Sequence, residues 1–599
     1  MVESPRLSTM CVLDSAAVQE PFSSEDTVPA TAISPTEVTS PTGVIQCETK
    51  AALSRTILSL THEAICNIID YLPPTTSEDY ISKEGPPPRI AVTFVCKRLR
   101  QVGTIHNAFW SHIPIGYTSQ WFDICLKRAS SLTVDLSYQH LLSGHQDSAL
   151  VLRFLSKHAK RVTELNIDAR ILPVHGEPPS VPPTSSTYRY RLRPDIFTLV
   201  PIRSVPCLET LSLDFRAPSN ARDPTPQRLT TVPATYFSSV TSSGPRLKSL
   251  TLGACNILAS CPLLFPTLNV LKLDDCAVWS SLGAMRDTLA AMPALRVLAL
   301  RVRDMDMSAE GLPPLTLPCL KELDVEYPIE SIIIFLELLR LSPGVRFRLV
   351  HPRGCVLQLG TVAATGTRLG NALKHHLPLR LFGHDGSLRF GMKPRLSLEG
   401  RWSAAGIDDP EEEHMRDADA DARAFERVLL APPDLTLVLP PLTENGMPLL
   451  TEMFAVLGFS RCRALAVVGP RETYCARALW KVLSKLRNID ILALSCTAGK
   501  NFLDELERPK GYEMLFAPRV LLLTGIVLRD QGMYTNPTES ICQRLSASPG
   551  KLKHLSVRNC PGSEGAISIF REQLGSDVVH WDGCDKDPAM DENDVTGFV

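Results

Sequence analysis

PRLKSLTLGAC (245–255), PTLNVLKLDDC (266–276), PALRVLAL (293–300) and PCLKELDV (318–325) repeat one template: Leu-x-x-Leu-x-Leu, with a proline two residues before the first leucine. Working outward, the template recurs as VTELNI (162–167) and PCLETLSL (206–213), and in weaker form as NIDILAL (488–494), PRVLLL (518–523) and KLKHLSV (551–557). Upstream of all of these, Leu132-Thr-Val134-Asp-Leu136 alternates strictly, as a half-buried strand does. The proline suits a chain turning into the extended conformation.

The starts at 247, 268, 295 and 320 are 21, 27 and 25 residues apart, within the range of leucine-rich repeats. A unit of one short strand plus a return segment cannot bury its apolar face alone. Stacked units build a continuous core beneath a parallel sheet. The expected fold class is therefore α/β: a short N-terminal helical module, then a leucine-rich-repeat solenoid with parallel strands on the concave face and helices and loops on the convex face. AVWSSLGAMRDTLAAM (277–292) fits one amphipathic return helix. In this repeat type an Asn or Cys three residues after the last leucine turns inward. Cys255, Cys276 and Cys560 occupy that position and are assigned to packing.

The chain has 599 residues, 44% hydrophobic and 21% charged, ordinary for a folded protein with several domains or an elongated array. Its 62 Lys+Arg against 64 Asp+Glu leave a net charge of −2, which gives no basic excess for tracking nucleic acid. Among its 17 cysteines no C-x-x-C occurs, so zinc pairs are not indicated. No export signal supports a disulfide framework. Reduced, buried thiols are the remaining reading. The longest apolar runs, 332–339 and 520–528, fall short of the roughly 20 residues of a membrane span. The expectation is a cytoplasmic or nuclear protein with no membrane and no nucleic-acid partner.

Residues 1–52 are rich in Ser, Thr, Pro and Glu without apolar periodicity and read as disordered. The helical module is placed at 53–115 and the repeats at 116–580, with insertions at about 172–194, 217–233 and 405–425 and an acidic tail at 581–599. How 340–460 continues the repeats is left open. In the module, Ile65, Ile68, Ile69 and Leu72 share one helical face, behind Thr61 as N-cap. A second helix is expected from about Arg89 to Val102, with Ala91, Val95, Leu99 and Val102 on one face and Gly103 just past its end. Phe109 and Trp110 are large enough to close a small core.

The segment LSLTHEAICNIIDYLP (58–73), with VTFVCKRLRQVG (92–103) and FWSHI (109–113), resembles an F-box. The whole chain resembles the F-box plus leucine-rich-repeat proteins abundant in basidiomycete fungi. That resemblance implies a substrate-recognition subunit of an SCF-type ubiquitin ligase, partnered with the adaptor and through it a cullin, and holding a protein substrate on the repeats. By position, Leu60, Ile65, Ile68, Ile69, Leu72, Val95 and Cys96 would contact the adaptor. The chain departs from the family in Thr61 for the proline, Leu99 for the tryptophan and a lengthened loop at 74–88. The alternative is a leucine-rich-repeat scaffold without ligase association.

No catalytic constellation, cofactor motif or metal-ligand set stands out, so no enzyme is expected. His375-His376 ends a helical pattern, and neighbouring positions do not share a helix face. Gly360–Gly366 lacks the Gly-Lys-Ser/Thr ending of a phosphate loop. Asp417, Asp419 and Asp421 have calcium-loop spacing without its glycine and final glutamate. Cys475 and Cys496 have no activating histidine nearby in sequence. Recognition is expected instead on the strand face opposite the leucines. There Lys272, Asp274, Arg301, Glu322, Asp324 and Glu326 point outward, with Asp274, Arg301 and Glu326 roughly in one column.

Overall fold

Leu247, Leu250 and Leu252 are fully buried, while Ser249 and Thr251 between them stay partly exposed. Leu268, Leu271 and Leu273 repeat the pattern, as do Leu295, Leu298 and Leu300. Alternation at this period puts one side of each strand into the core. The computed structural model describes residues 60–71, 88–113, 119–137, 154–168, 205–216, 229–233, 246–352, 355, 361–377, 386–392, 396–402, 433–439, 447–458, 464–469, 476–495, 518–528, 538, 542–543, 545, 552–560 and 564–583, apart from a few positions inside these stretches. The segments 1–52, 172–194, 405–425 and 584–599 lie outside the described residues, as do Leu72, Cys475 and Cys496.

The chain divides into two units, Met1–Ile65 and Cys66–Val599. In the first, Leu60–Ile65 are described and begin a helix, His62–Tyr71. Thr61 caps it: its Oγ1 accepts from the Ala64 backbone N–H at 3.1 Å.

The second unit is mixed α/β around one mostly parallel sheet. From Leu132–Ser137 the ladder runs through Val162–Asp168, Thr210–Asp214, Ser249–Gly253, Val270–Cys276, Val297–Val302, Glu322–Glu326 and Arg346–Val350, each parallel to the last. Ala464–Gly469, Ile491–Ser495, Val520–Thr524, His554–Arg558 and Val579–Trp581 form a second parallel run. The same hydrogen bonds recur where strands begin. Lys248 O accepts from both Asn269 N and Val270 N, Asn269 O from Arg296 N and Val297 N, and Arg296 O from Lys321 N and Glu322 N. Asp490 O and Arg519 O do the same for Arg519–Val520 and Lys553–His554. One backbone geometry is thus reused from unit to unit.

Between the two parallel runs the direction reverses. Arg346–Val350 pairs parallel with Leu435–Leu439, but Leu396–Trp402 is antiparallel both to that strand and to Gly386–Met392, which then pairs parallel with Ala464–Gly469. The stretch 340–460 therefore keeps the ladder continuous through an antiparallel insertion. Behind it, the helices Val362–His376 and Met447–Leu457 pack on each other.

Strand ends also repeat. Ala254, Asp275 and Asn559 have φ of 50°, 59° and 48°, and each precedes one of Cys255, Cys276 and Cys560. Gly525, at φ 64°, stands at the same place after its own strand. The left-handed residue turns the following side chain under the sheet. There the thiols are fully buried and used: Cys276 Sγ donates to Leu252 O at 3.2 Å and Cys560 Sγ to Arg558 O at 3.2 Å. Burial pushes the Cys560 thiol up to about 12, and Cys255 is raised by its contact with Cys276 and by burial, so these groups stay protonated.

Three expectations are corrected. The 277–292 helix is shorter, Leu282–Ala290, because Ser281 caps it by accepting from Ala284 N at 3.3 Å. Residues 277–281 stay outside the helix, Ala277 and Ser281 making single parallel bridges to Asn256 and Asp306, with Val278 and Trp279 buried. The end of the 217–233 segment is not loop: Thr230–Thr231 pairs parallel with Cys255–Asn256, and Val232 is buried. The helix expected over 89–102 is broken. Pro88–Ala91 passes into a 3₁₀ turn, Val92–Phe94, and a new helix Lys97–Ile105 starts behind Cys96. Gly103 lies inside that helix, where a Cβ would come within 2.9 Å of Thr93 Cγ2.

Candidate functional site

Two surfaces carry the residues singled out by sequence. On the helical segments, Trp110 anchors the fold: its Nε1–H donates to Gly103 O at 2.7 Å, and its ring meets Phe109 edge-on at 5.0 Å. Leu99 and Val102 are buried. The exposed residues are different ones. Ile68 is 49% exposed, Phe94 54%, Val95 68% and Ile105 69%. The Arg100 guanidinium lies over the Phe94 ring.

The seven positions assigned to adaptor contact therefore separate. Ile68 and Val95 are exposed and Leu60 is half-buried. Ile65 and Ile69 are fully buried, so they are core rather than docking surface. Along a helix, i and i+4 face one way, and Ile68 is rotated off that face. Cys96 is half-buried, and its Sγ accepts from Leu99 N at 3.4 Å, capping the helix. Phe94 was missed because a 3₁₀ turn does not follow the 3.6-residue period used to read the segment, and Ile105, the last residue of the helix Lys97–Ile105, because it lies beyond the 89–102 helix expected from sequence.

The second surface is the sheet face opposite the leucines, on the first parallel run. Its side chains are paired across strands. Arg301 reaches both neighbours, Asp274 at 3.5 Å and Glu326 at 2.7 Å. Arg348 pairs with Asp324 at 2.8 Å, Arg346 with Glu322, and Arg303 with Asp275. Lys272 is exposed and stands between Thr251 and Ala299 in the register. Arg216, absent from the sequence reading, binds Asp214 at 2.6 Å and also Asp274, two strands away. Gly253 on the intervening strand makes room, since a Cβ there would lie 2.6 Å from Asp214 Oδ1. The Asp214 hydrogen bonds raise the Arg216 pKa, so its charge is fixed. Exposed pairs of this kind each contribute about 0–1 kcal/mol, so their sum orders the face more than it stabilises the fold.

The second parallel run differs. At equivalent positions Ala464, Ala466, Ala493, Val520 and Leu522 form a buried apolar cluster, with Ile491 packed against it. Among the described residues, the cross-strand Arg–carboxylate pairs of this face belong to the first run. The signal was present as Val520-Leu-Leu-Leu523, a continuous apolar run instead of an alternating one.

His375 and His376 face apart at the helix end, His375 exposed and His376 inward. His376 is buried, and its Nε2 lies 2.8 Å from Leu336 O, to which the neutral ring donates. Burial lowers its pKa below the ordinary histidine value. The unfolded chain then takes up a proton near pH 6.5 that the folded chain refuses until lower pH. The resulting stability is present above about pH 6.5 and is lost as pH falls through the folded value. Thermal melts from pH 7.5 down to pH 5 should show His376→Gln losing less stability than the parent; equal losses would exclude this role.

Among the described residues no three His, Cys, Asp or Glu side chains are grouped to hold a metal, and no helix is long and apolar enough to cross a membrane. No protein-family model matches the chain, and no curated protein matches its sequence.

Proposed function

We propose that this chain is a substrate-recognition subunit of an SCF-type ubiquitin ligase. Its helical segments would dock on the adaptor, and through it a cullin, while its repeats, stacked as a leucine-rich-repeat solenoid, hold a protein substrate. The observation that carries the reading is the placement of exposed apolar side chains. Ile68, Phe94, Val95 and Ile105 are four of the five large hydrophobics exposed among the described residues. Uncovered apolar groups concentrated in one short segment mark an interaction surface. The mechanism is positional: tethering raises the substrate's concentration near the ubiquitin-charged enzyme, with no bond-making residue in this chain. Such a subunit works in the cytoplasm or the nucleus.

A scaffold without ligase association is favoured by two local features. Leu99 is buried where the F-box pattern has tryptophan, and the Cys96 thiol is engaged as a helix cap. Affinity purification of the tagged full-length chain with mass spectrometry separates the two. The ligase reading expects adaptor and cullin with the parent chain, and at least about a tenfold loss of both with Ile68→Asp/Val95→Asp, whose exposed sites leave the fold intact. A parent chain that brings down neither protein leaves the scaffold reading standing.

A further inference from the structure

Three consecutive strands, Val270–Cys276, Val297–Val302 and Glu322–Glu326, carry five carboxylates on or beside the face: Asp274, Asp275, Glu322, Asp324 and Glu326. All five are held in ion pairs with arginines. Three cations on the same repeats are not. Lys272, Arg296 and Lys321 are exposed, and their side chains make no ion pair or hydrogen bond among the described residues. Arg301 serves both Asp274 and Glu326, so these pairs leave about one negative charge against the three unpaired cations, and the strands present net positive charge to a partner.

We propose that this part of the face docks an acidic, carboxylate-rich segment of a protein partner. The inference rests on reading the face as the recognition surface. Arg296 and Lys321 stand immediately before adjacent strands, joined by the Lys321 N to Arg296 O hydrogen bond at 2.7 Å. Lys272 lies three residues further along the neighbouring strand than Asn269, whose carbonyl accepts from Arg296 N. With strands about 4.8 Å apart and residues about 3.3 Å apart along them, the three cations spread over roughly 10 Å in each direction. An extended segment of about four or five residues spans that distance, and alternate carboxylates about 7 Å apart reach neighbouring cations. On the neighbouring strands and toward the strand start, Ser249, Thr251, Val270, Val297 and Ala299 beside Lys272 are uncharged and leave room for a backbone, while Asp274, two residues on, is held by Arg216 and Arg301. Binding to these exposed charges breaks no internal ion pair, so no existing pairing energy is lost.

The test uses the full-length chain and a rhodamine-labelled peptide of ten glutamates, read by fluorescence anisotropy, with decalysine as the control peptide. The expected result is binding of decaglutamate but not decalysine, weakening steeply between about 50 mM and about 500 mM salt. Lys272→Glu/Arg296→Glu/Lys321→Glu should lower affinity at least tenfold, the corresponding triple glutamine variant by less, and Lys374→Glu, an exposed helix position elsewhere, not at all. Melting curves confirm folding, and the glutamine variant carries the test if the charge reversal does not fold. Absence of decaglutamate binding by the parent, or binding by both triple variants as tight as the parent's, overturns the proposal. Binding that emerges only after residues 584–599 are removed assigns the surface to the chain's own acidic tail and overturns an outside partner. Adaptor recovery is read separately: its loss with decaglutamate binding intact sinks only the ligase reading, and the converse sinks only this inference.

Discussion

Gly366→Leu is expected to destabilise the second unit by more than about 3 kcal/mol, and even Gly366→Ala by about 1–3 kcal/mol, measured by denaturant unfolding. The helix Val362–His376 approaches Met447–Leu457 so closely that a Cβ at 366 would sit 2.9 Å from Leu449 Cα and 3.0 Å from its carbonyl carbon, and would also meet Leu449 O. One turn on, a Cβ at Gly370 would lie 2.8 Å from Val456 Cβ. These obstacles are mainly backbone, which cannot rotate aside as a side chain can. Alanine's helix propensity returns only about 1 kcal/mol against glycine, so the clash wins. Gly565 supplies the contrast. It lies in the helix Glu564–Leu574 with nothing within 4 Å of its ideal Cβ, and Gly565→Ala should be neutral or stabilising by up to about 1 kcal/mol. Equal effects at 366 and 565 would show that the two helices are not in backbone contact.

The second large effect belongs to the strands. Leu271→Asp should abolish cooperative folding of the repeats, whereas Lys272→Asp, one residue away, should change stability by about 0.5 kcal/mol or less. Leu271 is fully buried and Lys272 exposed. Truncating a buried leucine costs about 2–5 kcal/mol, and burying an unpaired carboxylate in its place costs several more. Against a total stability of about 5–15 kcal/mol the sum is decisive. Circular dichroism melts of the two variants read the difference, and similar melts would mean that the leucines do not face the core.

Much of this arrangement was legible because it is encoded locally and repeated. The leucine register marks the buried face since a strand has period two. The cysteines after Leu252, Leu273 and Val557 mark the turn beneath it, where the left-handed Ala254, Asp275 and Asn559 stand. The Asp274–Arg301–Glu326 column follows from register alone. What sequence did not reveal is what distant segments decide. Alternation identifies a strand but not its direction, so the antiparallel Leu396–Trp402 was invisible. Gly366 looked like part of a failed phosphate loop until the partner helix stood against it. Arg216 lies outside the template, and its bridge to Asp274 depends on the missing side chain of Gly253. In the helical segments the 3.6-residue pattern placed Ile65 and Ile69 correctly on one face, but that face is the core, and the exposed Phe94 and Val95 follow from the break before Cys96.

The most direct measurement is calorimetric titration of the purified SCF adaptor into the full-length chain. Docking through Ile68 and Val95 predicts a one-to-one complex formed by the parent and lost in Ile68→Asp/Val95→Asp while the melting curve is unchanged. No heat with the parent chain, or equal heat with the double variant, would contradict it.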